Sequence, residues 1–159
     1  MKGEIIAVLH NIRSIHNVGS IFRTADAARV SKLYLCGITP APLDRFGKTR
    51  QDFAKVSLGA EKTVAYESVR SILPLLTKLK KEGYVIVAVE LVKGAVPYYS
   101  LRRTLNNKKI VLVLGNEVDG LSKSILTRTD IITEIPMQGK KESLNVSVAF
   151  GIVAYGIQY

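Results

Sequence analysis

Five polar side chains stand where apolar runs give way to polar loops: Asn17 and Arg23 beyond the first run, Glu117 beyond the fifth, and Ser143 and Asn145 beyond the last. Singly, each has a structural explanation. Asn17 would be a helix N-cap, Arg23 a solvated helix charge, Glu117 a turn acid, and Ser143 and Asn145 helix caps. Together they fall at the C-terminal ends of strands, where open α/β sheets bind ligands. Their chemistry is a fixed cation, a carboxylate, two carboxamides and a hydroxyl. A guanidinium keeps its proton near neutral pH, so Arg23 suits gripping an anion or stabilising developing negative charge rather than acting as a base. The two histidines, His10 and His16, lie near the end of the first run, where either a catalytic or a structural role is open to them.

Several other sites are excluded. Gly115 to Ser122 reads G-x-x-x-x-G-L-S, superficially a phosphate-binding loop, but Leu121 replaces the required lysine, and Glu117 and Asp119 would repel an anion. No G-x-G-x-x-G follows the first apolar run, and no G-x-S-x-G occurs. Cys36, alone in the chain, rules out an intramolecular disulfide and a Cys-cluster zinc site; it reads as a small core residue. No metal is expected.

The elements that must position these groups alternate. Residues 4–9, 33–36, 63–66, 84–89, 110–114 and 131–135 are short apolar runs, the pattern of strands covered on both faces. Between them, Val18, Ile21, Phe22, Ala25 and Ala28 recur at helical spacing, as do Val69, Ile72, Leu73, Leu76 and Leu79 behind a Ser68 cap, with Pro74 as a candidate kink. Residues 37–55 carry Pro40, Pro42, Gly47, Arg45, Lys48 and Arg50 and read as a long functional loop. A short helix spans about Ser122 to Arg128. Pro136 ends the last strand, and the following apolar helix opens with Ser143, Asn145 and Ser147 in its first turn. The pattern predicts an α/β fold, a mainly parallel sheet with helices on both faces.

At 159 residues the chain is expected to be one domain, 1–159, with no separate RNA-binding domain, and no apolar run reaches the ~20 residues needed to span a bilayer. No leader is evident, so the expected compartment is the cytoplasm, with no membrane association. A net charge of +10 points to a polyanionic partner. Sparse aromatics and the absence of Trp argue against a protein that stacks single-stranded bases.

Three ordered motifs carry a resemblance. Asn11-x-x-x-x-x-Asn17-x-Gly19-x-x-x-Arg23-Thr24-Ala25, Leu114-Gly115-Asn116-Glu117-x-x-Gly120-Leu121, and Ile135-Pro136-Met137-x-Gly139-x-x-x-Ser143-Leu144-Asn145-Val146-Ser147-Val148-Ala149 resemble the SpoU/TrmH branch of the SPOUT RNA methyltransferases. The likeness covers almost the whole chain and departs at Arg29, where a glycine is expected before the second strand.

The resemblance implies a C-terminal segment threaded into a deep trefoil knot, an obligate homodimer, and S-adenosyl-L-methionine held by backbone groups of the knot loops. The implied reaction moves its methyl group to a ribose 2′-hydroxyl in RNA, with tRNA ahead of rRNA as substrate. Arg23 would grip the neighbouring phosphate and stabilise alkoxide charge, while Asn17, Glu117, Ser143 and Asn145 shape the ribose site. Gly115, Ile135, Met137 and Leu144 would line the cofactor pocket, joined by Asn116, Glu90 and Leu91. RNA would approach along Arg13, Lys48, Arg50, Lys140 and Lys141, contacts that position without reading sequence. The final helix would be buried against its own sheet and against the partner subunit, which would account for Gly151, Ala154 and Gly156. A base-modifying relative and a cofactor-free RNA-binding protein on the same fold are the alternatives.

Overall fold

The computed structural model describes residues 3–159. In chain order the elements are β1 (Ile5–His10), α1 (Ile15–Ala27), β2 (Lys32–Cys36), α2 (Gln51–Ser57), α3 (Ala60–Thr63), β3 (Ala65–Val69), α4 (Ile72–Lys81), β4 (Val85–Val89), β5 (Val96–Pro97), a 3₁₀ turn (Tyr98–Ser100), α5 (Leu101–Thr104), β6 (Ile110–Leu114), α6 (Lys123–Leu126), β7 (Ile131–Glu134) and α7 (Val146–Gln158). The strands form one sheet in the order β3-β2-β1-β6-β4-β7-β5, and every neighbouring pair is parallel. Parallel strands need crossovers, and with all strands pointing one way their C-terminal loops emerge along a single edge.

Why the strand sequences are almost uninterruptedly apolar is visible in the alternation of their side chains. Ile5, Ala7 and Leu9 of β1 and Ile110, Leu112 and Leu114 of β6 pack with Phe22 of α1, Phe53 of α2, Leu101 of α5 and Phe150 of α7. Their neighbours Ile6, Val8, Val111 and Val113 pack on the opposite face with Leu76 and Leu79 of α4 and Ile125 of α6. Phe22 meets Phe53 and Tyr66 edge-on, with ring centroids 5.2 and 5.5 Å apart. Truncating such a fully buried aromatic to alanine typically costs about 3–5 kcal/mol, so the sheet that holds the site is anchored from both sides.

Local details depart from the sequence reading. Ser14, not Asn17, caps α1, accepting from the Asn17 amide; Asn17 is thereby released from capping and lies buried inside the helix. The third strand begins at Ala65, because Thr63 closes α3 and its hydroxyl donates to Asp26 at 2.7 Å. Ser68 and Val69 belong to that strand, and Ser71 precedes α4. Pro74 falls in the first turn of α4, where its missing N–H has no intrahelical bond to lose, and the helix continues to Lys81. The long loop shortens to residues 37–50 because Phe53 draws α2 onto the core. The two-residue β5 was not foreseen; it holds the sheet edge beside β7, where the Thr133 hydroxyl donates to the Val96 carbonyl.

At the end of α1, Arg29 adopts φ +53°, with its amide donating to the Asp26 carbonyl and the Val30 amide to the Ala25 carbonyl. That pair of bonds closes a helix in the way that favours glycine at the left-handed position. The departure from the family pattern at Arg29 is therefore a residue with a Cβ held in a glycine conformation. The last helix starts at Val146 with Asn145 as its cap, leaving Ser143 in the preceding loop. Ala154 is buried in the core, and a Cβ on Gly156 would lie 2.7 Å from the Tyr98 ring, so both small residues answer to packing within the chain. Val148 and Tyr155 remain 49% and 42% exposed on the outer side of α7.

Candidate active site

Three segments meet through one chain of hydrogen bonds. Asn17 Nδ2 donates to Glu117 Oε1 at 2.8 Å, and Asn17 Oδ1 accepts from Asn145 Nδ2 at 3.0 Å. Asn145 Oδ1 in turn accepts from the Ser147 amide at 2.9 Å and the Ser147 hydroxyl at 2.6 Å. The direction is fixed at both ends. A carboxylate can only accept, so Asn17 must turn its NH₂ to Glu117 and its oxygen to Asn145; a helix cap must accept, so Asn145 turns its oxygen to Ser147. Asn17 is only 8% exposed, which makes loss of either partner expensive. Four residues from α1, the loop after β6 and the start of α7 are thus locked as a unit, with Ser147 added to the predicted set.

Beside them lies a cavity of about 400 Å³, lined by Glu90, Leu91, Gly115, Asn116, Glu117, Ile135, Met137, Ser143 and Leu144, among others. It gathers every residue expected at the cofactor pocket. Two of these also tie the surrounding loops together. Glu90 accepts from the Leu91 amide at 3.0 Å and from the Leu121 amide at 2.9 Å, so its carboxylate clamps the loop after β6 to the loop after β4. Asn116 is buried, donates to the Asn11 carbonyl at 3.1 Å, and accepts from the Val118 and Asp119 amides. Both residues line the cavity while their polar heads brace its wall. Gly115 permits the fold-back: a Cβ there would meet the Gly120 carbonyl at 2.7 Å.

Arg23 is not brought to this cavity. It lies six positions beyond Asn17 on α1, a turn of about 240°, and lines a separate groove of about 600 Å³ with His16, Ser20, Thr24, Lys55 and Tyr155. Arg13 lines a third, smaller hollow of about 240 Å³ together with His10, Asn11, Asn116 and Asp119. Burial pushes the His10 pKa down, and its Nδ1 is buried without a hydrogen-bond partner among the described residues. Lys48, Lys140 and Lys141 are exposed on the loops after β2 and β7, and Arg50 pairs with Asp52 at 3.6 Å. Asn11, part of the first motif yet absent from the expected site, ties three loops together. Its φ is +54°, its side chain accepts from the Ile38 amide, and its carbonyl receives Asn116. The tolerance of asparagine for left-handed backbone was the available signal. Among the described residues no helix is long and apolar enough to cross a membrane.

Comparison with known proteins places this geometry. A family model described as the SpoU rRNA methylase family matches residues 4–155. The chain is 36% identical over 155 residues to a tRNA (guanosine(18)-2′-O)-methyltransferase of Aquifex aeolicus, covering 98% of this chain and 69% of that protein. It is 32% identical over 149 residues to the 23S rRNA (guanosine-2′-O-)-methyltransferase RlmB of Neisseria meningitidis serogroup B, covering 94% of this chain and 56% of the relative. The crystal structure of an AdoMet-bound rRNA methyltransferase from Sinorhizobium meliloti superposes with a TM-score of 0.86 at 27% identity, over 99% of this chain and 56% of that one. The chain thus spans between 56% and 69% of the length of these proteins. With Asn17, Glu117 and Asn145 from the three motifs joined at one sheet edge and the match running nearly end to end, this chain belongs to the SpoU rRNA methylase family.

Proposed function

We propose that the chain is an S-adenosylmethionine-dependent RNA methyltransferase acting on a ribose 2′-hydroxyl, working as a homodimer in the cytoplasm. The observation that carries this reading is the hydrogen-bond chain Ser147–Asn145–Asn17–Glu117 set against the 400 Å³ cavity. The cavity suits the cofactor: its volume is that of a small-molecule site, Leu91, Ile135, Met137 and Leu144 offer apolar walls for a purine, and Glu134 and Glu142 offer carboxylates to a cation. S-adenosylmethionine supplies a sulfonium-activated methyl group, so the chain's own residues need only hold and orient the acceptor.

Asn17, fixed from both sides, sets where Glu117 and Asn145 stand, and the Ser143 hydroxyl, without an intramolecular partner among the described residues, is available to the ribose. Arg23 holds the adjacent phosphate and stabilises alkoxide charge, with proton loss to phosphate or solvent. Because Arg23 lines a groove separate from the cavity, we place Arg23 across the subunit boundary: the exposed Val148 and Tyr155 of α7 form the dimer face, and each site takes its arginine from the partner. Arg13, Lys48, Arg50, Lys140 and Lys141 guide the RNA backbone. The substrate is proposed to be tRNA, as named for the Aquifex relative, and the C-terminal segment is proposed to thread the trefoil knot beside the Glu90-clamped loop.

Calorimetric titration with S-adenosylmethionine tests the cofactor, and absence of saturable heat would favour a cofactor-free RNA-binding protein. Mixing inactive Arg23→Ala subunits with inactive Asn145→Ala subunits tests the shared site. Recovery of transfer activity on mixing is expected; none would place Arg23 and Asn145 of the same chain in one site.

A further inference from the structure

The loop after β2 is built to present one aromatic ring to solvent. Asp44, Arg45, Phe46 and Gly47 form a tight turn: the Gly47 amide donates to the Asp44 carbonyl at 3.0 Å, and the Asp44 amide to the Lys48 carbonyl at 2.8 Å. Leu43 and Thr49 pair antiparallel below it, and the Arg50 amide donates to the Pro42 carbonyl at 2.9 Å. Gly47 has φ +76°, the left-handed residue that closes a three-residue hairpin of this type. The Asp44 carboxylate accepts from the Phe46 and Lys48 amides at 2.8 and 3.0 Å. The one acid of the tip therefore serves its own backbone, and the cations Arg45 and Lys48 surround it.

Phe46 stands at this tip 72% exposed, with the Arg45 guanidinium over its ring 4.7 Å from the centroid. A phenyl ring held out of every apolar cluster by a hydrogen-bonded turn gains nothing from the fold itself. Arg45 stands over the ring, and the residue is still largely open to solvent. The hairpin also belongs to the same sheet edge as the candidate site, because β2 runs parallel to β1 and β6.

We propose that Phe46 is a stacking platform for an unpaired RNA base, with Arg45 and Lys48 binding the phosphates that flank it. The proposal rests on the RNA methyltransferase reading and adds to it a preference for unpaired over duplex RNA near the modified nucleotide. Stacking on an aromatic is tolerant of base identity, because every base has a π-face, and the cations add no sequence reading of their own. The scarcity of aromatics in the composition concealed this feature, since a platform needs only one ring in the right place.

The test uses the full chain with Phe46→Ala, Phe46→Leu and Phe46→Trp, an end-labelled unstructured RNA oligonucleotide, and an RNA duplex of equal length, with affinity read by fluorescence anisotropy. Base–aromatic stacking is worth roughly 1–3 kcal/mol, so Phe46→Ala should weaken single-strand binding by about five- to 150-fold. Duplex affinity should hold, Phe46→Trp should retain single-strand binding, and Phe46→Leu should fall with Phe46→Ala. Lys48→Ala should instead weaken both RNAs and reduce the salt dependence. Unchanged single-strand affinity in Phe46→Ala, an equal loss on duplex, or full retention in Phe46→Leu would overturn the proposal, as would dissociation of the homodimer in Phe46→Ala. Cofactor titration of the wild-type chain runs alongside, so that failure of the enzyme reading is seen separately from failure of the platform.

Discussion

Asn17→Asp exchanges one nitrogen for an oxygen in a buried side chain and so tests the hydrogen-bond chain with almost no change of volume. In the native chain Asn17 Nδ2 donates to Glu117 Oε1 at 2.8 Å; in the variant two carboxylates meet there. The lost charge-assisted bond is worth about 1.5–3 kcal/mol. Two unit charges roughly 4 Å apart at an effective dielectric near 20 repel by about 4 kcal/mol. Glu117 is exposed, so water screening and uptake of a shared proton limit the sum, and we expect a loss of about 2–4 kcal/mol at pH 8. Crowding of like charges raises a carboxyl pKa of the folded pair above its unfolded value of about 4. The folded variant then binds more protons than its unfolded chain, so its stability grows as pH falls through that raised pKa toward the unfolded value of about 4. Urea unfolding of both proteins at pH 8 and pH 5 is the assay, and the deficit should shrink by half or more at the lower pH. A deficit below about 0.5 kcal/mol at pH 8, or one equal at both pH values, would refute the assigned geometry.

Arg29→Gly removes a Cβ from a left-handed position that costs about 1–2 kcal/mol, while glycine's greater freedom in the unfolded chain returns roughly half of that. Thermal unfolding should show a rise of about 2 °C; a fall would mean that the arginine side chain makes a contact worth more than the strain. Burial lowers the His10 pKa, so the unfolded chain takes up its proton first as pH drops. The His10 contribution is present above about pH 6.5 and is lost as pH falls through the depressed folded pKa. Urea titrations should find the stability of His10→Gln less sensitive to pH between 7 and 5 than that of wild type; parallel slopes would remove His10 from the acid response. Gly115→Ala places a methyl 2.7 Å from the Gly120 carbonyl and 2.8 Å from Leu121 Cδ2. The loop must open, and calorimetry should record about a five- to 150-fold loss of S-adenosylmethionine affinity, given that overpacking costs about 1–3 kcal/mol; native affinity would show that the loop geometry is not what shapes the pocket.

Much of this was legible in the chain because two periodic signals agree with the fold. Continuous apolar runs such as Ile110–Leu114 fit strands covered on both faces and are too short for helices, and the helical spacing of Ile21, Phe22 and Ala25 matches their burial in α1. The pocket residues Gly115, Ile135, Met137 and Leu144 were legible through their motifs, and the cavity unites them. What sequence order could not show is which of two neighbouring polar residues caps a helix. Ser14 and Asn17 are both good caps, and tertiary partners 100 and 128 residues away decided the matter by giving Asn17 buried hydrogen bonds. The same limit hid Glu90 as a clamp, since its partners are backbone amides with no sequence signature. It also set Arg23 and Asn17, six residues apart in one motif, on different faces of a single helix.

The central claim is methyl transfer to ribose, and the product tests it most directly. Total tRNA and total rRNA lacking the modification would be incubated with the chain and methyl-labelled S-adenosylmethionine, digested to nucleosides, and the label located by mass spectrometry. A 2′-O-methylnucleoside, lost in Arg23→Ala and Asn145→Ala, is the predicted result; label on a nucleobase, or no transfer to any RNA by a chain that binds the cofactor, would contradict the account.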